Sequence, residues 1–174
     1  MRADPAGASG RDDPAPSALA PSPDPGSDPE DSALHLTFPS SPLSVRHALQ
    51  SVVAALPELD IEERGTVELV LAEALNNVAE HAYGAEDRGW ISLDCRAEAD
   101  GLHFRIRDEG RPMPDGAAPM GQPAPLPETL EAMPEGGFGW FLIRDLSRDV
   151  HYARKGDVNE LTFRMRVGSS EPTL

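Results

Sequence analysis

A single cysteine, Cys95, stands among 174 residues, so no disulfide can close within the chain and no Cys-x-x-Cys metal site exists. Basic residues are also scarce. Fifteen Lys and Arg face thirty Asp and Glu, a formal net charge of -15 at pH 7. A field of that sign repels DNA and RNA phosphates, so direct nucleic-acid binding is not expected. It leaves nucleotide binding open, because backbone amides and a bound divalent cation supply local positive potential. No run of 18 apolar residues occurs, and the first residues lack the apolar stretch of a secretory leader. Neither a membrane span nor export is expected. The plain reading is a soluble protein of a reducing cytoplasm.

What the chain does have is unevenly spread. Residues 1–33 are mostly Pro, Asp, Ala, Ser and Gly, and such a segment cannot bury enough apolar surface to offset its ordering entropy. It is expected to be a disordered acidic tail, with a partner-binding arm the less favoured alternative. The folded domain is expected over 34–168, with 169–174 a short C-terminal tail.

Within 34–168 the periodicities alternate. Leu34, Leu36 and Phe38 suit an edge strand that ends at Pro39. Ser44 is expected to head a helix from Val45 to Leu56, closed by Pro57. Val67, Val70, Leu71, Ala74, Leu75 and Val78 form one apolar stripe at helical spacing, with Gly84 as the stop. A hairpin follows: Ile91, Leu93 and Cys95 alternate with polar residues, Asp100-Gly101 turns, and Leu102, Phe104 and Ile106 return. Residues 111–136 lose periodicity and gain Pro and Gly, apart from a possible helical turn over Leu130–Met133. A long irregular stretch inside a compact domain is often a functional lid. A helix is expected from Gly139 to Arg148, then a second hairpin turning at Lys155-Gly156-Asp157. The order implies an α+β fold: a two-layer sandwich whose mixed, mainly antiparallel sheet carries its helices on one face.

Three groups of residues could carry chemistry. Glu73 and Asn77 lie four apart on the second helix, so they project side by side from the flank of the stripe. A carboxylate there can take a proton, and an amide oxygen one turn on can coordinate Mg²⁺; two solvated polar residues would look the same. Asp108-Glu109-Gly110 follows an apolar strand. Its carboxylate could accept from an exocyclic amine while Gly110 admits a flat ring, although Asp and Gly are also ordinary turn residues. Gly136-Gly137-Phe138-Gly139 leads into an apolar helix, where free amides suit phosphate; a hinge is the competing reading. No Gly-Lys-Ser/Thr follows, which excludes a Walker A loop. His81 is expected to turn back toward the stripe and pack.

Taken in order, Glu-x-x-x-Asn, Asp-x-Gly, a lid and Gly-x-Gly resemble the boxes of the GHKL (Bergerat-fold) ATP-binding superfamily. The strings LAEALNNVAEHAYG and GGFGWFLIRDLSRDVHYARKGDVNELTF are similar to those of anti-sigma-factor serine/threonine-protein kinases, over about residues 34–168. The resemblance implies ATP and Mg²⁺ as cofactors. Glu73 would be the general base and Asn77 the Mg²⁺ ligand. Asp108 would read the adenine amine beside Gly110, and Gly137 and Gly139 would lie at the phosphates. The sequence departs from the family at Arg111-Pro112, where many relatives have a second glycine. It also departs at Asn159-Glu160-Leu161-Thr162, where a Gly-Thr pair is common, and in a lid whose one cation is Arg111.

No transducer or phosphoacceptor helix is apparent, so a free-standing domain acting on a separate protein is expected. The family implies a STAS-type anti-anti-sigma protein carrying the target serine and a sigma factor that is sequestered; a homodimer remains open. Glu73 favours a Mg-ATP-dependent serine kinase over the alternative, a nucleotide-gated partner-binding switch without kinase activity.

Overall fold

The computed structural model describes residues 34–84, 89–121 and 138–168. Strand β1 (Leu34–Pro39) is followed by helices α1 (Pro42–Ala55) and α2 (Ile61–Asn77), and α2 runs on into a π-helical turn over Val78–Tyr83. The hairpin of β2 (Trp90–Glu98) and β3 (Gly101–Asp108) comes next. Helix α3 (Gly139–Leu146) and the hairpin of β4 (Arg148–Lys155) and β5 (Val158–Met165) complete the described fold.

The strands form one sheet in the order β1-β2-β3-β5-β4. All four pairings are antiparallel. Register explains the core. Leu36, Leu93, Ile106, Leu161 and Tyr152 lie side by side across all five strands, and Leu34, Cys95, Phe104 and Phe163 make the next rung. Side chains alternate between faces along a strand, so these rungs share the face that α1 and α2 cover with Val45, Val52, Val67, Val70, Leu71 and Leu75, all buried. Phe104 and Phe163 stack with ring centroids 5.3 Å apart. The opposite face bears the other phase, including Asp94, Arg105, Arg107, Glu160 and Arg164, which pair among themselves and with neighbouring charges. The fold is thus α+β, a sheet with its helices on one side.

Two local expectations are corrected. Helix α1 starts at Pro42, not after Ser44: Ser41 is the cap and its hydroxyl accepts from the Ser44 amide at 3.2 Å. Proline at the first helical position has no amide to satisfy and its φ already suits a helix, which moves the start upstream. The apolar stripe of α2 is buried as expected, but His81 is exposed. The wider π-helical turn buries Val78 and Ala79 and, one turn on, Ala82 and Tyr83, which leaves His81 facing out. Gly84, at φ +71°, then ends the helix in a conformation that only glycine adopts cheaply.

Candidate functional site

Helix α2 and its π-helical extension bring the site residues together at two ends. At the first end, Glu73 and Asn77 project half-buried from α2 toward the start of α3. A Cβ on Gly139 would lie 2.5 Å from Glu73 Oε2 and 3.7 Å from Asn77 Nδ2. Glycine is what allows the α3 backbone to approach a carboxylate and an amide at once. Helix α3 has no side chain capping its N-terminus, and its first amides are the kind of donors that anions take. Asn77 Nδ2 is buried and has no hydrogen-bond partner among the described residues. A buried unsatisfied amide is costly, and a turn about its last bond would present oxygen there instead. Gly137 lies outside the described residues, as does the expected helical turn at 130–133.

The second end is formed by Asp108 and Gly110 against Ala82. A Cβ on Gly110 would lie 2.7 Å from both the Cβ and the carbonyl oxygen of Ala82, and the Arg111 amide donates to that carbonyl at 2.8 Å. The Tyr83 hydroxyl donates to the Trp90 carbonyl at 2.8 Å and accepts from the Glu109 amide at 2.9 Å. The π-helical turn therefore fixes the Asp108–Gly110 corner from the helix side. Burial pushes the Tyr83 phenol above its ordinary value.

Sheet register supplies the rest. Asp108 continues the inward phase of Leu102, Phe104 and Ile106, and Asn159 that of Leu161, Phe163 and Met165, so the two face each other across β3 and β5. Both are buried. The Asp108 carboxylate accepts at Oδ1 from the Gly110 amide at 2.9 Å and from Asn159 Nδ2 at 2.8 Å. Burial pushes this carboxyl above the usual range, and the two hydrogen bonds and the Arg154 guanidinium oppose the shift. Asn159 Nδ2 also reaches the carbonyls of Gly110 at 3.2 Å and Arg111 at 3.1 Å. Its Oδ1 accepts from Tyr152 and Arg154, both at 2.7 Å. Tyr152 in turn accepts from the Met113 amide at 3.1 Å.

Of the expected lid, residues 111–121 are described. Arg144 of α3 donates to the carbonyls of Pro119 at 2.6 Å and Ala118 at 2.8 Å, which ties this segment to the helix that Gly139 begins.

Glu73, Asn77 and Gly139 thus converge, as do Asp108 and Gly110. The pattern missed Ala82 and Tyr83, whose places depend on the π-helical turn, and Tyr152 and Arg154. Asn159 could have been found, since it stands two residues before Leu161 in the inward phase. The donors fit a nucleotide with a divalent cation: beside a carboxylate, an amide unpartnered among the described residues; two glycines whose Cβ space is taken; and a second carboxylate, one oxygen of which takes no hydrogen bond among the described residues.

The family model of the histidine kinase-like ATPase domain matches residues 38–165, which span the sheet and its helices. The chain belongs to that family. It is similar to an anti-sigma F factor of Geobacillus kaustophilus, 26% identical over 119 residues that are 67% of this chain and 80% of that protein. It is also similar to a serine-protein kinase, RsbW, of Listeria monocytogenes, 29% identical over 66% of this chain and 75% of that protein. Among solved structures, the RsbU and RsbW domains of a Mycobacterium tuberculosis protein match with a TM-score of 0.53 at 16% identity. That match is one of fold, and this chain spans 32% of the solved one. Among the described residues no helix is long and apolar enough to cross a membrane.

Proposed function

We propose that this protein is a Mg-ATP-dependent serine protein kinase of the cytoplasm that also acts as an anti-sigma factor. It phosphorylates a STAS-type partner on serine and holds a sigma factor when that partner is modified. The observation that carries the reading is the convergence of Glu73, Asn77 and Gly139 at the uncapped start of α3. The names of the relatives, anti-sigma F factor and serine-protein kinase, support the sigma-factor and serine-kinase parts of the reading.

In this reading Glu73 orients the serine hydroxyl and takes its proton, because phosphoryl transfer is mainly positioning and charge stabilisation. Asn77 would hold the cation through its amide oxygen, and the cation would supply charge to offset the phosphates. The α3 amides and the glycines at 137 and 139 receive phosphate oxygens. Asp108 accepts from the base amine, and Gly110 lets the ring approach. Mg-ATP, when bound, supplies the phosphoryl group and the cation that offsets its charge.

The test is transfer of phosphate from labelled Mg-ATP to a purified STAS-domain partner. Transfer that is lost in Glu73→Ala, with partner binding retained, supports the kinase. Partner binding without transfer by the unaltered protein would leave the nucleotide-gated switch instead.

A further inference from the structure

Asn159 makes more polar contacts than any role in closing a hairpin requires. Its Oδ1 receives two donors, the Tyr152 hydroxyl and the Arg154 guanidinium, so the opposite end of the amide, the NH₂, must face Asp108. Together with the Gly110 amide it places two donors on the same carboxylate oxygen, Oδ1. Among the described residues Oδ2 takes no hydrogen bond.

We infer that Asn159 is the positioning residue that sets base choice at this site, making it accept purines with an amine at C6 and refuse those with a carbonyl there. The inference rests on the nucleotide-binding reading of Asp108. An amine donates and needs an acceptor, whereas a carbonyl opposite an ionised carboxylate sets acceptor against acceptor. Discrimination therefore depends on Asp108 staying ionised with Oδ2 aimed outward.

Several groups bear on that ionisation. Arg154 of β4 favours it and Glu109 beside it opposes it, while Tyr83 of the π-helical turn lies close enough to feel the carboxylate. Burial opposes it most. Asn159 contributes a donor that carries no charge and does not titrate. Without it the buried carboxyl more readily takes a proton, and a protonated carboxyl can donate to a C6 carbonyl. Asn159 is also tied to the Gly110 and Arg111 carbonyls, so the same side chain fixes the corner against which a ring would lie.

The experiment compares ADP with GDP by calorimetry, on the full chain and two variants. Asn159→Leu removes the donor. Asn159→Asp keeps the size, and the acceptor toward Tyr152 and Arg154, but turns an acceptor on Asp108. The unaltered protein is expected to favour ADP by tenfold or more, on the order of what a paired polar group gives. Both variants are expected to shrink that ratio several-fold, and Asn159→Thr, which keeps a hydroxyl donor, is expected to restore it. If Asn159→Leu does not fold, the isosteric Asp variant decides. Equal weakening of both nucleotides, with the ratio unchanged, means that Asn159 is only structural and overturns the inference. So does a lack of preference in the unaltered protein. A folded, unaltered protein that binds neither nucleotide overturns the reading of Asp108 itself.

Discussion

The α-carbon of Gly139 faces the carboxylate of Glu73 so closely that a methyl group on residue 139 would lie 2.5 Å from Glu73 Oε2. The obstacle is the far end of a flexible side chain, not backbone. Gly139→Ala is therefore expected to fold, because the Glu73 side chain can turn to another rotamer. Nucleotide affinity is expected to fall by tenfold or more, because the methyl takes the space where phosphate and carboxylate would meet. Thermal unfolding and calorimetry on one preparation check both halves; an unchanged affinity would remove Gly139 from the phosphate end.

Gly110→Ala should behave in the opposite way. Its Cβ would meet the Ala82 backbone at 2.7 to 2.8 Å, and the helix end cannot rotate aside as Glu73 can. Overpacking of this kind costs about 1–3 kcal/mol. A matching fall in the urea midpoint without nucleotide is the expected result. A variant as stable as the parent would mean that the corner and the helix are not in contact.

What was legible in the sequence follows from what periodicity reports. The stripe from Val67 to Val78 is buried because a regular helix presents one face, and Glu73 and Asn77 fall on its flank for the same reason. The π-helical turn has no comparable signature, so an α-helical phase carried beyond Val78 puts His81 inside, where the structure has it exposed. Strand alternation located the core but not the register. Asp108 could be suspected from its own corner, whereas Asn159 stood out only as a departure from a Gly-Thr pair. Its contact with Asp108 depends on which residues of β3 and β5 lie opposite each other, and no local pattern states that.

Asp108→Asn separates binding from stability. The folded-state pKa of Asp108 is raised, so the native state takes this proton before the unfolded chain does. That stabilising contribution is complete below the ordinary carboxylate range and is lost as pH rises through the raised value. A neutral amide lacks the dependence and keeps an oxygen for Gly110 and Asn159. The variant is expected to melt at the same or a higher temperature than the parent at pH 7, the gap narrowing toward acid, with adenine-nucleotide binding lost. A variant clearly less stable at pH 7 would contradict the buried-charge account.

Glu73→Gln keeps size and hydrogen bonding while removing the base. Phosphate transfer to a STAS-type partner is expected to fall on the order of 10²- to 10⁴-fold, with nucleotide affinity within a few-fold of the parent. Rapid quench and calorimetry measure the two. Comparable losses in both would make Glu73 a binding group.

Arg144→Ala releases the Ala118 and Pro119 carbonyls from α3. Amide exchange over 117–121 should accelerate, and nucleotide should dissociate faster while global stability drops by about 1 kcal/mol or less. Unchanged exchange in that segment would show that other contacts hold it.

The π-helical turn has one more consequence, concerning insertions and deletions. Glu73, Asn77, Ala82 and Tyr83 belong to one continuous helical run, so the separation of the two ends of the site is counted in residues along a single rod. Loss of one residue within 79–81 would let the turn close as an ordinary α-helical one. Six residues in a π-helical turn sweep about the same angle as five in an α-helical one, so both ends of the site would keep their places. A residue lost between Glu73 and Asn77 would instead turn one from the other by about 100°; the π-helical turn is the stretch of the rod with a residue to spare.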